Sequence, residues 1–255
     1  MCLLVMAYRA HPDYGLIVAA NRDEFFHRPT APAEFWQNCP TVLAGRDLEQ
    51  GGTWMGISKT GRFAALTNVR EPLAFRSTAK SRGLIVADFL ERDSDPVAYL
   101  AQLAERRDDY NGFNLVCGSS QHLYFYSTVD GHIAELAPGR YGLSNYMLDT
   151  PWPKVERSKL ALHQTLAQRG DELESDLFDL LSDITLADDA DLPNTGVGIE
   201  KERWLSPIFI RAEGYGTRSS TLLLVDYDGN ARFTERTFNS AGDPTDTRRF
   251  AVKMQ

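Results

Sequence analysis

Cysteine is scarce in this chain: three in 255 residues, Cys2, Cys39 and Cys117, each far from the others. A disulfide framework and a paired-cysteine zinc site both need closer spacings, so neither is expected. No apolar run reaches the roughly eighteen residues of a membrane helix, and no basic leader precedes a long apolar stretch at the N-terminus. Stable membrane insertion and secretion are therefore not expected, and the predicted setting is the reducing cytoplasm. Lys and Arg number 27 against 35 Asp and Glu, for a net charge of −8, and no basic stripe offers itself to phosphate backbones. Nucleic acid is not an expected partner. The acidic stretch from Asp171 to Asp191 ends on Asp188, Asp189, Ala190 and Asp191, which lacks the glycine and terminal glutamate of a calcium loop. The five histidines, His11, His27, His122, His132 and His163, show no spacing that pairs two of them, so no metal site is read from them. Internal repeats and low-complexity segments are also missing.

With 43% hydrophobic and 24% charged residues, the chain reads as one soluble domain spanning 1–255. Apolar runs at 2–8 and 16–21, separated by His11, Pro12, Asp13 and Gly15, predict a hairpin. A second hairpin is expected across Lys59, Thr60 and Gly61. Spacing predicts helices over 84–90 and 97–104, the second entered through Asp95 and Pro96, and further helices over 153–168 and 173–181. Strands are expected at 114–117, 123–127, 133–136 and 141–144. A closing hairpin, 219–225 with 231–238, turns at Tyr227, Asp228, Gly229 and Asn230. Strands in blocks with helices between them point to α+β architecture with antiparallel sheets, and the unbroken run Leu222, Leu223, Leu224, Val225 to a strand buried on both faces.

Cys2 carries the sharpest chemical reading. If Met1 is removed, one residue holds both a thiol and a free α-amine, with ordinary pKa values of roughly 8.5 and 8, so a nucleophile and its base sit together. The same residue also reads as a small apolar side chain opening a buried strand. The hairpin brings the polar cluster Asn21, Arg22, Asp23 and Glu24 towards Cys2. Adjacent side chains of a strand point to opposite faces, so Arg22 and Glu24 share one face and Asp23 takes the other unless a bulge intervenes.

Met1 with Cys2, NRDE at 21–24, GGTWMGIS at 51–58, ALTNVRE at 65–71, GLSNYMLDTPWPKV at 142–155 and GTRSSTLLLVD at 216–226 resemble the NRDE family, also called the Transport and Golgi organization protein 2 family. That family's layout is similar to the N-terminal nucleophile hydrolases, which implies a four-layer αββα sandwich of two mainly antiparallel sheets. Likeness to the cysteine amidases that cleave conjugated bile acids and penicillin V implies a catalytic set of Cys2, Arg22, Asp23, Asn145 and Arg218. Arg22 and Arg218 would favour thiolate, Asp23 would orient the α-amine, and Asn145 would donate to an oxyanion. Asn68 is a candidate second donor, and Asn21 and Glu24 are candidate substrate contacts. Two functions follow from the resemblance: hydrolysis of a small acyl amide, which needs no cofactor, or non-enzymatic haem trafficking, with lipid or acyl-coenzyme A handling beside it. Haem propionates would meet Arg22 and Arg218, whereas Cys39 followed by Pro40 is too short a pattern to assign a ligand. Trp36, Trp54, Trp152 and Trp204 suit a pocket wall and an ordinary core equally. Pro151, Trp152 and Pro153 are expected to form a rigid turn that holds Asn145.

Overall fold

The computed structural model describes residues 2–71 and 74–254, with the backbone alone at Cys2. The chain runs through β1 (Cys2–Tyr8), β2 (Tyr14–Phe25), β3 (Thr30–Phe35), β4 (Val42–Asp47), β5 (Met55–Ser58) and β6 (Phe63–Asn68), then α1 (Gly83–Glu91) and α2 (Pro96–Glu105). Next come β7 (Phe113–Gly118), β8 (Leu123–Ser127), β9 (Ile133–Glu135) and β10 (Gly139–Leu143), followed by α3 (Pro153–Thr165), α4 (Gly170–Leu181) and α5 (Ile199–Trp204). The short β11 (Arg211–Ala212) leads into β12 (Tyr215–Asp226), β13 (Asn230–Phe238) and β14 (Pro244–Lys253).

Alternation along the strands sets the layers. In β1 the even positions Leu4, Met6 and Tyr8 belong to one buried cluster, and the odd positions Val5 and Ala7 to another. β2 repeats the pattern, with Leu16, Val18 and Ala20 on one side and Ile17 and Ala19 on the other. A sheet that is apolar on both faces needs a cover on each. The even face meets Leu43, Ile57, Phe63 and Val116 of the second sheet, and the odd face meets Leu162 of α3 and Leu173, Leu177 and Leu181 of α4. The far face of the second sheet, with Leu66, Leu115 and Tyr126, is covered by Ile85, Phe89, Leu100 and Leu103 of α1 and α2. The order of layers is therefore αββα.

The first sheet is ordered β10-β1-β2-β12-β13-β14, with β11 on β12, and the second β3-β4-β5-β6-β7-β8-β9. Every ladder in them is antiparallel. Asp95 caps α2 by accepting from the N–H of Ala98 at 2.9 Å, and Asp226 closes the β12–β13 turn through the N–H groups of Asp228 and Asn230.

Four strands, β3, β4, the two-residue β11 and β14, and one helix lie outside the sequence expectation. β3 contains Pro32 and sits at an edge, where a missing N–H is tolerated, and its register with β4 shifts between Ala31 and Glu34. β4 carries Gly45, Arg46 and Asp47, and β14 is a largely exposed edge strand rich in polar and charged residues. α5 is a short helix of charged residues without an apolar stripe.

One carboxylic acid lies in the space between the sheets. Glu235 is 2% exposed, accepts from the N–H of Ala33 at 2.6 Å, and is pushed up to about 7 by burial, against the opposing pull of Ala33, Arg22 and Arg248. The unfolded chain releases this proton near the ordinary value of 4.5, and the folded chain holds it until about pH 7. Stability therefore falls as pH rises through that window, by about 3 kcal/mol for a shift of this size. Glu235→Gln is expected to flatten the urea midpoint between pH 5 and pH 8, at about the stability the wild type has at the acidic end; an unchanged slope would contradict this.

Candidate active site

The end of the first sheet assembles most of the polar cluster. The backbone of Cys2 pairs with Arg22 on β2, and Arg22 pairs in turn with Ser219 on β12. On the other side, Leu4 pairs with Leu143, two residues before Asn145. Four adjacent strands, β10-β1-β2-β12, thus deliver Asn145, Cys2, Arg22 and Arg218 to one end of one sheet. Met1 and the side chain of Cys2, on which the nucleophile expectation falls, lie outside the described residues.

A bulge sits in this row. Asp23 pairs with Thr217 and Arg22 with Ser219, which leaves Arg218 as the extra residue of β12. Its Nη1 donates to the carbonyls of Phe25 and Arg28 at 2.8 and 3.0 Å, so it ties down the chain leaving β2. Burial and the like charge of Arg22 both push its pKa down.

The rest of the cluster, Asn21 apart, borders one cavity. Arg22 lies over Trp54, with its guanidinium carbon 4.3 Å from the ring centroid, and Glu24 joins it on the wall of one cavity of about 350 Å³. Asp23, Asn68 and the start of α1 line the same cavity. Arg22 is 5% exposed, and its Nη1 has no hydrogen-bond partner among the described residues. Burial pushes the pKa of Glu24 up, but the Phe25 N–H and the surrounding positive charge, Arg22 and Arg28 included, hold it below the usual carboxylate range. Asp23 is fully buried, accepts from Thr217 Oγ1 at 2.7 Å, and is raised by burial against the pull of Lys154.

Asn21 does not reach the cavity. Its Nδ2 donates to the carbonyls of Leu181 and Ile208, and its Oδ1 accepts from Ser220, so it fastens β2 to the end of α4.

Asn145 is fully buried and joins both sheets. Its Nδ2 donates to the carbonyl of Asn68, at the end of β6, at 2.9 Å. Its Oδ1 accepts from Arg70 Nη2 at 3.3 Å and from Ser144 Oγ at 3.2 Å, and its own carbonyl accepts from the Arg70 N–H at 2.8 Å. Arg70 pairs with Glu202, both side chains being under 5% exposed, and Glu202 also accepts from the N–H and hydroxyl of Thr195. The loop after β10 is closed by Asp149, which accepts from the N–H of Gly142 and donates its own N–H back to the Gly142 carbonyl. Trp152, between its two prolines, stacks on Tyr146 and lies under Arg70.

Sequence reasoning missed Arg70, Glu202 and Lys154. Arg70 stands within the ALTNVRE string, but Glu202 sits in a polar stretch with no signal of burial. The glycines of GGTWMGIS have a packing reason: a Cβ on Gly52 would lie 2.3 Å from the backbone carbon of Gly83, where the loop touches the start of α1. Among the described residues no group of three or more His, Cys, Asp or Glu side chains is placed to hold a metal ion, and no helix is long and apolar enough to cross a membrane.

Comparison with known proteins agrees with this architecture. A mutant of conjugated bile acid hydrolase from Clostridium perfringens superposes with a TM-score of 0.50 at 8% identity, covering 98% of this chain and 92% of that one. The fold is thus that of the N-terminal nucleophile hydrolases. In sequence, the Transport and Golgi organization protein 2 homolog of Bos taurus is 40% identical over 96% of this chain and 95% of its own length. The homolog from Homo sapiens is 36% identical over 92% of each chain, and the Drosophila melanogaster protein 30% identical over 93% and 92%. Residues 1–240 match the family described as Transport and Golgi organisation 2, and the chain belongs to that family.

Proposed function

We propose that the chain, once freed of Met1, is a cysteine amidase acting on a small acyl amide. The observation that carries this reading is the row across the first sheet, in which the backbone of Cys2 stands beside Arg22 at the cavity, with Arg218 on β12 to one side and Asn145 just past the end of β10 to the other. The thiol proton passes to the α-amine, and the sulfur attacks the amide carbonyl. Collapse of the tetrahedral intermediate breaks the C–N bond as the amine returns the proton to the leaving nitrogen. Water, deprotonated by the same amine, then resolves the thioester and releases the acid. Arg22 favours the thiolate by its charge, with Arg218 adding to the local positive potential. Asp23 accepts from the α-amine and orients it. Asn145 spends one N–H on Asn68 and has a second for the oxyanion, and Asn68 is the candidate for a further donor.

Haem carriage is the second reading, favoured by Nη1 of Arg22, which has no hydrogen-bond partner among the described residues and suits a propionate. No histidine, cysteine, methionine or tyrosine is among the described residues that line the cavity, so haem would be held there as cargo through its carboxylates. The test of the amidase reading is release of fluorophore from acyl-7-amino-4-methylcoumarins of increasing chain length by protein that begins at Cys2. Turnover is expected with a trapped acyl group on Cys2, and none with Cys2→Ala. Equal rates for both proteins would sink the reading.

A further inference from the structure

The cavity divides by charge into a neutralised side and an unspent one. On one side Arg28 pairs with Asp47 at 2.7 Å and lies 3.7 Å from Glu49 and 4.0 Å from Glu24, so these carboxylates already face a cation. Lys80 is likewise spent on Asp109, and Arg82 donates to the carbonyl of Gly112. On the other side the inner wall is the buried Arg22, which among the described residues makes no ion pair and has no hydrogen-bond partner at Nη1. A buried charged donor with no acceptor is costly, and a ligand oxygen would relieve it. The outer wall is the start of α1, which has no acidic residue in its first turn and no side-chain cap, so the positive end of its dipole is uncompensated. Arg76 stands beside it, exposed, with a backbone carbonyl of Tyr110 as its acceptor and no ion pair among the described residues.

From this arrangement we infer that the ligand carries an oxyanion, a carboxylate or a phosphate, held between Arg22 and the α1–Arg76 wall. The inference rests on the proposed amidase site as the location and adds the chemical class of its substrate: an acyl amide with an anionic group near the scissile bond. A neutral amide of the same size leaves Arg22 without an acceptor and binds more weakly.

The test uses the full chain carrying Cys2→Ala, which separates binding from turnover. Isothermal titration at low salt compares N-acetylglycine, O-phospho-N-acetylethanolamine and the neutral N-acetylglycinamide. At least one anion is expected to bind about tenfold more tightly than the neutral amide, and which anion wins identifies the group. Arg22→Met should abolish that preference. Arg76→Glu, at an exposed position that does not threaten folding, should cut it about threefold or more, as should raised salt. Equal affinity for all three probes, or a preference that survives both substitutions, overturns the inference. Hydrolysis by the wild-type chain without such a preference would overturn this inference alone, and a preference without hydrolysis would uphold it while counting against the amidase reading.

Discussion

Replacing Glu202 by glutamine is expected to lower folding stability by about 3–5 kcal/mol at pH 7, the usual cost of breaking a buried ion pair by removing one partner. Arg70 and Glu202 are 4% and 3% exposed, and burial alone already drives the pKa of Arg70 down. Neutralising Glu202 leaves that guanidinium in a low-dielectric site without its carboxylate, and it also weakens the hold on Thr195. The damage should travel to Asn145, whose Oδ1 and carbonyl both accept from Arg70. A double substitution, Arg70→Met with Glu202→Leu, removes both charges and is expected to recover much of the loss, because an apolar pair of similar volume spares the desolvation cost. Urea midpoints measure both variants. A loss below about 1 kcal/mol for Glu202→Gln would mean that the pair is not desolvated as described.

Asn145→Asp is expected to lower kcat by about 10²–10³ on any acyl amide the protein turns over, with KM changed little, because an oxyanion donor acts mainly in the transition state. The aspartate keeps the acceptor that faces Arg70 and loses the N–H donors. Asn145→Ala removes both and should add a stability loss to the same kinetic defect. Equal kcat for wild type and Asn145→Asp would show that Asn145 serves the fold alone, through Asn68 and Arg70.

The layers were legible in the sequence where patterning is strong. The apolar runs of β1 and β2, the run Leu222 to Val225 and the Asp95–Pro96 helix entry each report a local physical need, and each appears where expected. β3 and β14 escaped because edge position and polar content erase the period-two signal, and the interior β4 because its short apolar start runs straight into Gly45, Arg46 and Asp47. The site divides similarly. Strand parity turns Asp23 away from Arg22 and Glu24, yet all three border one cavity, and a bulge does appear, but on β12 at Arg218 rather than on β2. Register is a property of the fold, so a sequence in isolation could not place that extra residue. Asn21 looks like its neighbours in the string but is consumed by carbonyls some 160 and 187 positions away. The Arg70–Glu202 pair is equally long-range, 132 residues apart, and neither residue advertises burial.

The proposed chemistry needs a free α-amine on Cys2. The intact denatured mass of the protein from its native host shows whether Cys2 has one. A chain lighter by one methionine, beginning at Cys2, is expected. A chain that retains Met1 would have its Cys2 nitrogen tied up as an amide, with no base to take the thiol proton, and would contradict the terminal-amine mechanism.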